Sequence, residues 1–521
     1  MDGKGILSAA GVAVSPDGKN VYVAADASDG VAIFDRDTTT GTLTQKAGTA
    51  GCITETGTGG TCTDGNSLAS AVRITVSPDG ASVYAVAGVD AIAIFDRDTT
   101  TGVLTQKPGT AGCISDTGGG GCTDGTALDG PRSVSVSPDG ENVYVASDIS
   151  DAIAIFDRAA SGALTQKPGL AACISETGAG PCTDGVSLLN PQEVATSFDG
   201  ASAYAVSAVS DSVTVFNRDA SGALTQKPGA AGCISETGAG GCTDGAGLDA
   251  PFEIELTADG SSAYSISSAG QALAVFDRDR ATGVLTQKPG SAACISETGT
   301  APCVDGVGMA NPRGLTSSPD GANIYSVAYN GDAVAVFDRE IPPQTTIDSG
   351  PDGPTNDKTP TFAFSSSEGG SSFQCSVDAG AFGPCSGPGA AHTTGKLKDG
   401  PHTFAVRAVD LAANADESPA TREFVVDTKA PKTKFKKKPA KRTRTSKAKA
   451  KVKASFKSEK GSTFECKLDK GRFKKCKSPL KVKARSKAGK GKKHTIYVRA
   501  TDAAGNVEKK PAKAGFRVIR N

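Results

Sequence analysis

Tryptophan is absent from the chain, and aromatic residues amount to only 5% of it. Any sheet it forms must therefore be packed by Val, Ile, Ala and Phe. Only three histidines occur, His392, His402 and His494. No run of about 18 apolar residues is present, which excludes a membrane-spanning helix. GxSxG, HExxH, P-loop and dinucleotide fingerprints are missing, so those routes to hydrolysis and nucleotide chemistry are closed. The stretch after Met1, "DGKGILSAAG", is too polar for a secretory signal, so an export signal is absent from this chain. Net charge is lacking too, at +0, but this zero is a cancellation. Residues 429–521 carry 34 Lys and Arg against 5 Asp and Glu, while residues 1–428 carry 22 against 51. A body of −29 is thus joined to one of +29.

Cysteine is plentiful. Its fourteen residues form seven close couples: Cys52 with Cys62, Cys113 with Cys122, Cys173 with Cys182, Cys233 with Cys242, Cys294 with Cys303, Cys375 with Cys385 and Cys466 with Cys476. Even, local pairing with no CxxC predicts a disulfide framework and an oxidising compartment, hence a secreted or cell-surface protein.

Residues 1–340 are built from repeats. "VAVSPDG" (12–18), "ITVSPDG", "VSVSPDG", "VATSFDG", "IELTADG" and "LTSSPDG" (315–321) recur about every 60 residues. Each is followed by an alternating segment such as "NVYVAS", then by "AIAIFDR" and usually "TTGVLTQK". Short alternating runs broken by Asp-Gly and Thr-Gly turns predict antiparallel strands. Four strands a to d per unit, repeated radially, make a β-propeller. The sixth unit stops at "AVAVFDRE" without an LTQ strand, while the amino terminus supplies "GKGILSA". The expectation is that residues 3–8 close the last blade as its outer strand, giving six blades; seven blades is the rival.

The pattern "VSVSPDG…VYVAS…SDAIAIFDR…TGALTQ" resembles the lactonase-type β-propeller family, which includes 6-phosphogluconolactonase-like proteins and YVTN-type surface propellers. The resemblance covers roughly residues 1–340 and implies channel histidines and arginines; the propeller has no histidine. Beyond it, "SSFQCSVDAGAFGPC" aligns with "STFECKLDKGRFKKC", and "HTFAVRAVDLAAN" with "HTIYVRATDAAGN". These segments resemble small immunoglobulin-like bacterial sandwiches at 341–428 and 429–521. The predicted fold is all-β throughout: one propeller and two small β-sandwich domains.

Candidate chemistry lies at three places. In a propeller the d-to-a and b-to-c connections share the channel-mouth face, and the residues beginning strand a there are Arg73, Arg132, Glu193, Glu253 and Arg313, differing from blade to blade as an asymmetric pocket requires; a wet, ion-paired lining is the alternative. A ring of Asp29, Asp90, Asp151, Asp211 and Asp332 stands at the b-to-c turns, where Asp caps backbone N–H groups. Third, each cysteine insert carries an acidic pair, the first at Glu55 and Asp64. With two cysteines giving only half a zinc site, the inserts read as staples with no metal or other cofactor, calcium being the alternative. They should stand as a crown on the channel-mouth face.

Two functions follow. One is an exported, envelope-associated binding or display protein, with an unknown ligand at the propeller. Its residues 429–521 would attract an anionic cell-wall polymer or another polyanion without specific nucleic-acid recognition, since few aromatics interleave with the lysines. The other is a lactone hydrolase at the channel mouth, in which Arg73, Arg132 or Arg313 polarises a carbonyl and Glu193 or Glu253 activates water. The missing histidine favours the first. Head-to-tail charge pairing between copies is a third possibility.

Overall fold

The computed structural model describes residues 3–339, 342–386, 389–410, 414–416 and 418–521. Strands and short 3-10 turns form its regular structure, with no α-helix among the described residues. The chain divides into two compact units, Met1–Glu340 and Ile341–Asn521.

Blade 3 illustrates how the repeat folds. Strands a (Pro131–Val136), b (Asn142–Ser147), c (Ala152–Arg158) and d (Leu164–Gln166) pair antiparallel in sequence order. The turn between a and b closes on itself: the Ser137 hydroxyl donates to Asp139 at 2.5 Å and accepts the Asn142 N–H at 3.0 Å. Gly140, at φ +73°, supplies the left-handed residue this turn needs. Strand b is buried along its whole length because blades stack on both of its faces, which is why it reads as a nearly continuous small apolar run.

The cysteine insert is more than a loop. Cys173–Ser175 pairs antiparallel with the first half of strand c, beside strand d on the second half, and Cys182–Asp184 lies parallel outside it. Each of the first five blades is therefore a six-stranded sheet, and the insert forms its outer edge, remote from strand a.

All seven disulfides form as the couples predict, and no cysteine is free. In the propeller Cys62 closes on Cys52, Cys122 on Cys113, Cys182 on Cys173, Cys242 on Cys233 and Cys303 on Cys294. In the sandwiches Cys385 closes on Cys375 and Cys476 on Cys466. The position of the propeller set corrects the expected crown around the channel mouth. Cys62, Cys122, Cys242 and Cys303 each stand immediately before the outermost strand of their blade, and Cys182 begins it. The staples therefore line a perimeter, because strand c still had a free edge for the insert to pair with.

Adjacent blades are held by a recurring clasp. The strand-c arginine of blade 2, Arg97, donates from Nε to the Tyr22 hydroxyl of blade 1 at 2.7 Å and from Nη2 to Asp17 in the blade 1 turn at 3.0 Å. Tyr22 in turn donates to the Gly102 carbonyl of blade 2 at 2.9 Å. Arg158 with Tyr84 and Asp79, Arg218 with Tyr144 and Asp139, and Arg278 with Tyr204 and Asp199 repeat the arrangement. Arg339 joins Asp259 in the same way.

The closure expected from residues 3–8 does not occur. Lys4 exchanges two hydrogen bonds with Gln45, at the end of strand d of its own blade, as Asn66 does with Gln106 and Thr126 with Gln166. The segment "GKGILSAA" thus has the register of "GNSLASAV" (65–72), which leads into strand a, and not that of an LTQ strand. Blade 6 keeps three strands, Pro312–Ser317, Asn323–Ala328 and Ala333–Asp338. Val12 and Val14 on blade 1 are exposed, whereas Ile74, the counterpart of Val12, is buried and Val76, the counterpart of Val14, is half-buried. The six blades form an open ring.

The second unit holds two β-sandwiches. Phe362 and Phe364 from one sheet meet Phe404 and Phe424 from the other in the first core; Val452 and Phe456 meet Ile496, Val498 and Phe516 in the second.

Candidate functional site

In every blade the pairing of strands a and b shifts after the first residue of strand a, as between Pro131 and Ser133, Pro251 and Glu253, or Pro312 and Gly314. A bulge turns its extra side chain to a new direction. The bulged residues are Ala10, Val72, Arg132, Gln192, Phe252 and Arg313. Arg73 stands one residue beyond, level with Glu193 and Glu253.

Side chains from three blades converge on Phe252. The Arg73 guanidinium lies 5.6 Å from the ring centroid and that of Arg313 lies 4.7 Å away. Arg73 also donates to the Ala10 carbonyl at 2.9 Å. Glu193 Oε2 accepts the Ile254 N–H of the next blade at 2.6 Å. Glu255 accepts the Ser317 N–H and hydroxyl at 3.0 and 2.6 Å. Glu253 keeps Oε2 buried with no hydrogen-bond partner among the described residues. Burial raises all three carboxyls. Glu193 is driven well up by burial and then by the charge of Glu253. Glu253 is pushed up to about 7 by burial, against the pull of Arg73. Arg132 stands apart, its Nε 2.5 Å from a buried Asp148 and its own side chain 48% exposed.

The site therefore sets Arg73 and Arg313 against Phe252, with Glu193 and Glu253 within electrostatic reach of Arg73, and leaves Arg132 outside. Sequence reasoning missed Glu255, Asp148 and the central place of Phe252. The alternation in "PFEIEL" puts Glu253 and Glu255 on one face and was the available signal for the former; nothing local announces Asp148. Chemically, the group offers two cations that can polarise or bind an oxyanion, and one carboxyl, that of Glu253, able to hold or release a proton near neutral pH.

The other acidic sets act on backbone. Asp29, Asp90, Asp151 and Asp211 accept the N–H of Ser70, Gly130, Asn190 and Ala250, in the segment leading into the next blade. Except at Gly130, these acceptors support a non-glycine residue at positive φ. In the inserts, Glu55, Asp116, Glu176, Glu236 and Glu297 accept the N–H of Leu68, Leu128, Leu188, Leu248 and Met309. Their later partners, such as Asp64 and Asp124, lie on the exposed outermost strand. His402 and His494 tie turns to strands in the sandwiches, each with Nδ1 2.7 Å from an aspartate, Asp378 or Asp469.

Fold and site define a repeat-built propeller with a charged inner lining, followed by β-sandwiches. Residues 45–173 of the propeller match the family model described as a lactonase, seven-bladed β-propeller. Among solved structures, a periplasmic gluconolactonase of Pseudomonas aeruginosa is 18% identical, with 64% of this chain and 81% of that one covered and a TM-score of 0.43. A 6-phosphogluconolactonase candidate of Bacteroides uniformis is 17% identical over 63% and 80%, at 0.43. A Lactobacillus plantarum protein is 17% identical over 64% and 81%, at 0.45. No curated protein matches the chain significantly. No helix among the described residues is long and apolar enough to cross a membrane, which says nothing of β-barrels.

Proposed function

We propose that the chain is an exported binding or display protein that attaches to a linear polyanion, such as an anionic cell-wall polymer, through its terminal sandwich. One observation carries this reading. In the strands Lys449–Lys457 and Leu480–Arg485, Lys449 faces Arg485, Lys451 faces Lys483 and Lys453 faces Lys481, and Lys434 faces Lys457 on the adjoining strand. All eight cations are exposed. Like charges directly opposed across strands are destabilising, so the fold itself gives no reason for them. The preceding sandwich supplies the internal control, since its matching strands Thr345–Ser349, Thr361–Ser366 and Ala391–Thr393 contain no lysine or arginine. The array repeats at about 6.8 Å along each strand and about 4.8 Å across, a two-row track suited to a chain of phosphates. Seven disulfides support an oxidising location.

The test is binding of inorganic polyphosphate by the full chain across a salt series. The wild type should lose affinity steeply with salt. Lys451→Thr, Lys453→Thr and Lys483→Thr together should cost at least about tenfold at 50 mM salt and lower the slope of log K against log salt by roughly 2–3. Two DNA duplexes of unrelated sequence should bind equally. Absence of polyanion binding at 50 mM salt overturns the proposal.

A second reading is favoured by the buried, unpartnered Glu253 Oε2 beside Arg73. There Arg73 or Arg313 would polarise a lactone carbonyl while ionised Glu253 takes a proton from the attacking water; as the new C–O bond forms, the ring C–O bond breaks and Glu253 returns the proton to the departing alkoxide. Opening of gluconolactone above background, lost in both Arg73→Ala and Glu253→Gln, is its expected signature; an unchanged rate in either variant removes it.

A further inference from the structure

We infer that the polymer held by the terminal sandwich is a sugar phosphate, and that a cleft at the end of the lysine track seats one of its sugar-phosphate units. The inference rests on the polyanion reading for the polymer and on the cleft alone for the sugar. The cleft lies along the strands Thr463–Leu468 and Lys474–Cys476 and encloses about 690 Å³, within the roughly 300–1,000 Å³ of small-ligand sites. It adjoins the track through the chain. The turn after Lys457 leads to Ser462, and Lys477 leads through Pro479 into the strand Leu480–Arg485.

Four lining groups define the occupant. Ser462 keeps its hydroxyl buried with no hydrogen-bond partner among the described residues. The first sandwich shows how this position is otherwise satisfied: Ser371 donates to the Glu368 carbonyl at 3.0 Å and meets the Ser366 hydroxyl at 3.0 Å. In the terminal sandwich the turn joining Phe456 to Phe464 is shorter than that joining Phe364 to Phe373, and Ser458 turns instead to the Lys432 carbonyl at 3.2 Å. An orphaned buried hydroxyl is costly unless a ligand meets it. Phe464, half-buried and packed on Phe456 with centroids 5.0 Å apart, gives the cleft a rigid apolar wall. Glu465 commits Oε2 to Arg499 at 2.7 and 2.8 Å and leaves Oε1 as an acceptor. Lys475 and Lys477 complete the lining, exposed and in no ion pair among the described residues, where the first sandwich has Pro384 and Ser386. A pyranose offers an apolar C–H face to Phe464 and hydroxyls to Ser462 and Glu465, while its phosphate meets the two ammonium groups. A bare phosphate would leave the ring and the hydroxyl unused and would be repelled by Glu465.

The experiment is calorimetry on the full chain at about 50 mM salt, with glucose 1-phosphate, glucose, AMP and inorganic phosphate as probes. Glucose 1-phosphate should bind with a dissociation constant of about 1 mM or below, and at least about tenfold more tightly than glucose or inorganic phosphate. Lys477→Ser, an exposed change to the residue of the first sandwich, should weaken it about tenfold with the melting temperature unchanged. Ser462→Ala should weaken it too, yet raise the melting temperature, because the orphaned hydroxyl is gone. Lys451→Thr, Lys453→Thr and Lys483→Thr together should leave glucose 1-phosphate within about twofold while reducing polyphosphate binding. A phosphodiester-linked glucose tetramer should bind at least about tenfold more tightly than the monomer, an advantage lost with those three substitutions. Inorganic phosphate binding as tightly, AMP binding more tightly, or Lys477→Ser binding like the wild type overturns the sugar assignment, and polyphosphate binding beside any of these leaves the polyanion reading standing. A tetramer no tighter than the monomer overturns the polymer assignment and makes free sugar phosphate the occupant.

Discussion

Glu253 destabilises the propeller as an anion. Burial pushes its carboxyl up to about 7 although Arg73 attracts the charge, and one oxygen has no partner to compensate. An unfolded glutamate titrates near about 4.3. Between that value and about 7 the folded chain holds a proton that the unfolded chain has released, so stability falls as pH rises through this window and is level outside it. Glu253→Gln removes the cost. The variant should exceed the parent by about 1–2 kcal/mol at pH 8, less than the full shift implies because the neutral amide gives up the attraction of Arg73. The difference should close by pH 4, as read from urea midpoints at both values. Coincident curves at pH 8 would contradict the assignment. The fold does not require the carboxyls of this tier: at the same level of blade 3, the Ser133 hydroxyl accepts the Val194 N–H at 2.9 Å with no charge at all. A costly group that the scaffold could do without is what a binding or proton-transfer site retains.

The element that stabilises the ring is the clasp, and its repetition makes it testable against itself. The Arg158 side chain is 4% exposed and bonds the Tyr84 hydroxyl, Asp79 and the Gly140 carbonyl at 2.8, 2.7 and 3.0 Å. Arg158→Met leaves those groups without their donor and should cost about 2–4 kcal/mol. Arg36→Met, at the same place in blade 1 but facing no neighbouring blade, should change the denaturation midpoint little. Equal losses would mean that the clasp contributes nothing beyond its local bond. The acidic half adds a pH dependence of opposite sign to that of Glu253. Burial disfavours the Asp17 carboxylate, yet Ser15 and Arg97 hold it at about 2, so its contribution is lost as pH falls below about 4. Much of this element was legible: the fixed Tyr, Asp-Gly and Arg of each repeat gave strands b and c and their turns. The pairing of Arg97 with Asp17 and Tyr22 was not, because it joins residues of different blades about 80 positions apart. The insert strands escaped for another reason. Spacing alone paired Cys113 with Cys122, but three residues such as Cys113–Ser115 are too few to show a period, and only a free edge on strand c makes them strands. The ring closure was misjudged because "GKGILSA" can be matched to LTQ by composition alone; the Lys4–Gln45 bonds decide the register.

Across the whole molecule the dominant feature is the separation of charge, −29 in residues 1–428 and +29 in 429–521. This was read directly from the sequence, as was alternation in "KAKVKASFK" that would put lysines on one face. The sequence does not reveal that the facing strand repeats the pattern in register, so that Lys451 looks at Lys483 and Lys453 at Lys481. That register turns a charge count into a testable conflict between stability and binding. If the ladder is kept for a polyanion, removing its cations should weaken binding while strengthening the fold. Lys451→Thr should stabilise the full chain by about 0.5 kcal/mol in low salt, since threonine suits a strand and the opposed charge is gone. The gain should shrink by 0.5 M salt, where exposed charges are screened within a few ångströms. Lys460→Thr, in a turn outside the ladder, should show neither effect. A ladder lysine whose loss weakens both fold and polyphosphate binding would place these residues in ordinary structural service, and the track along the sheet would lose its meaning.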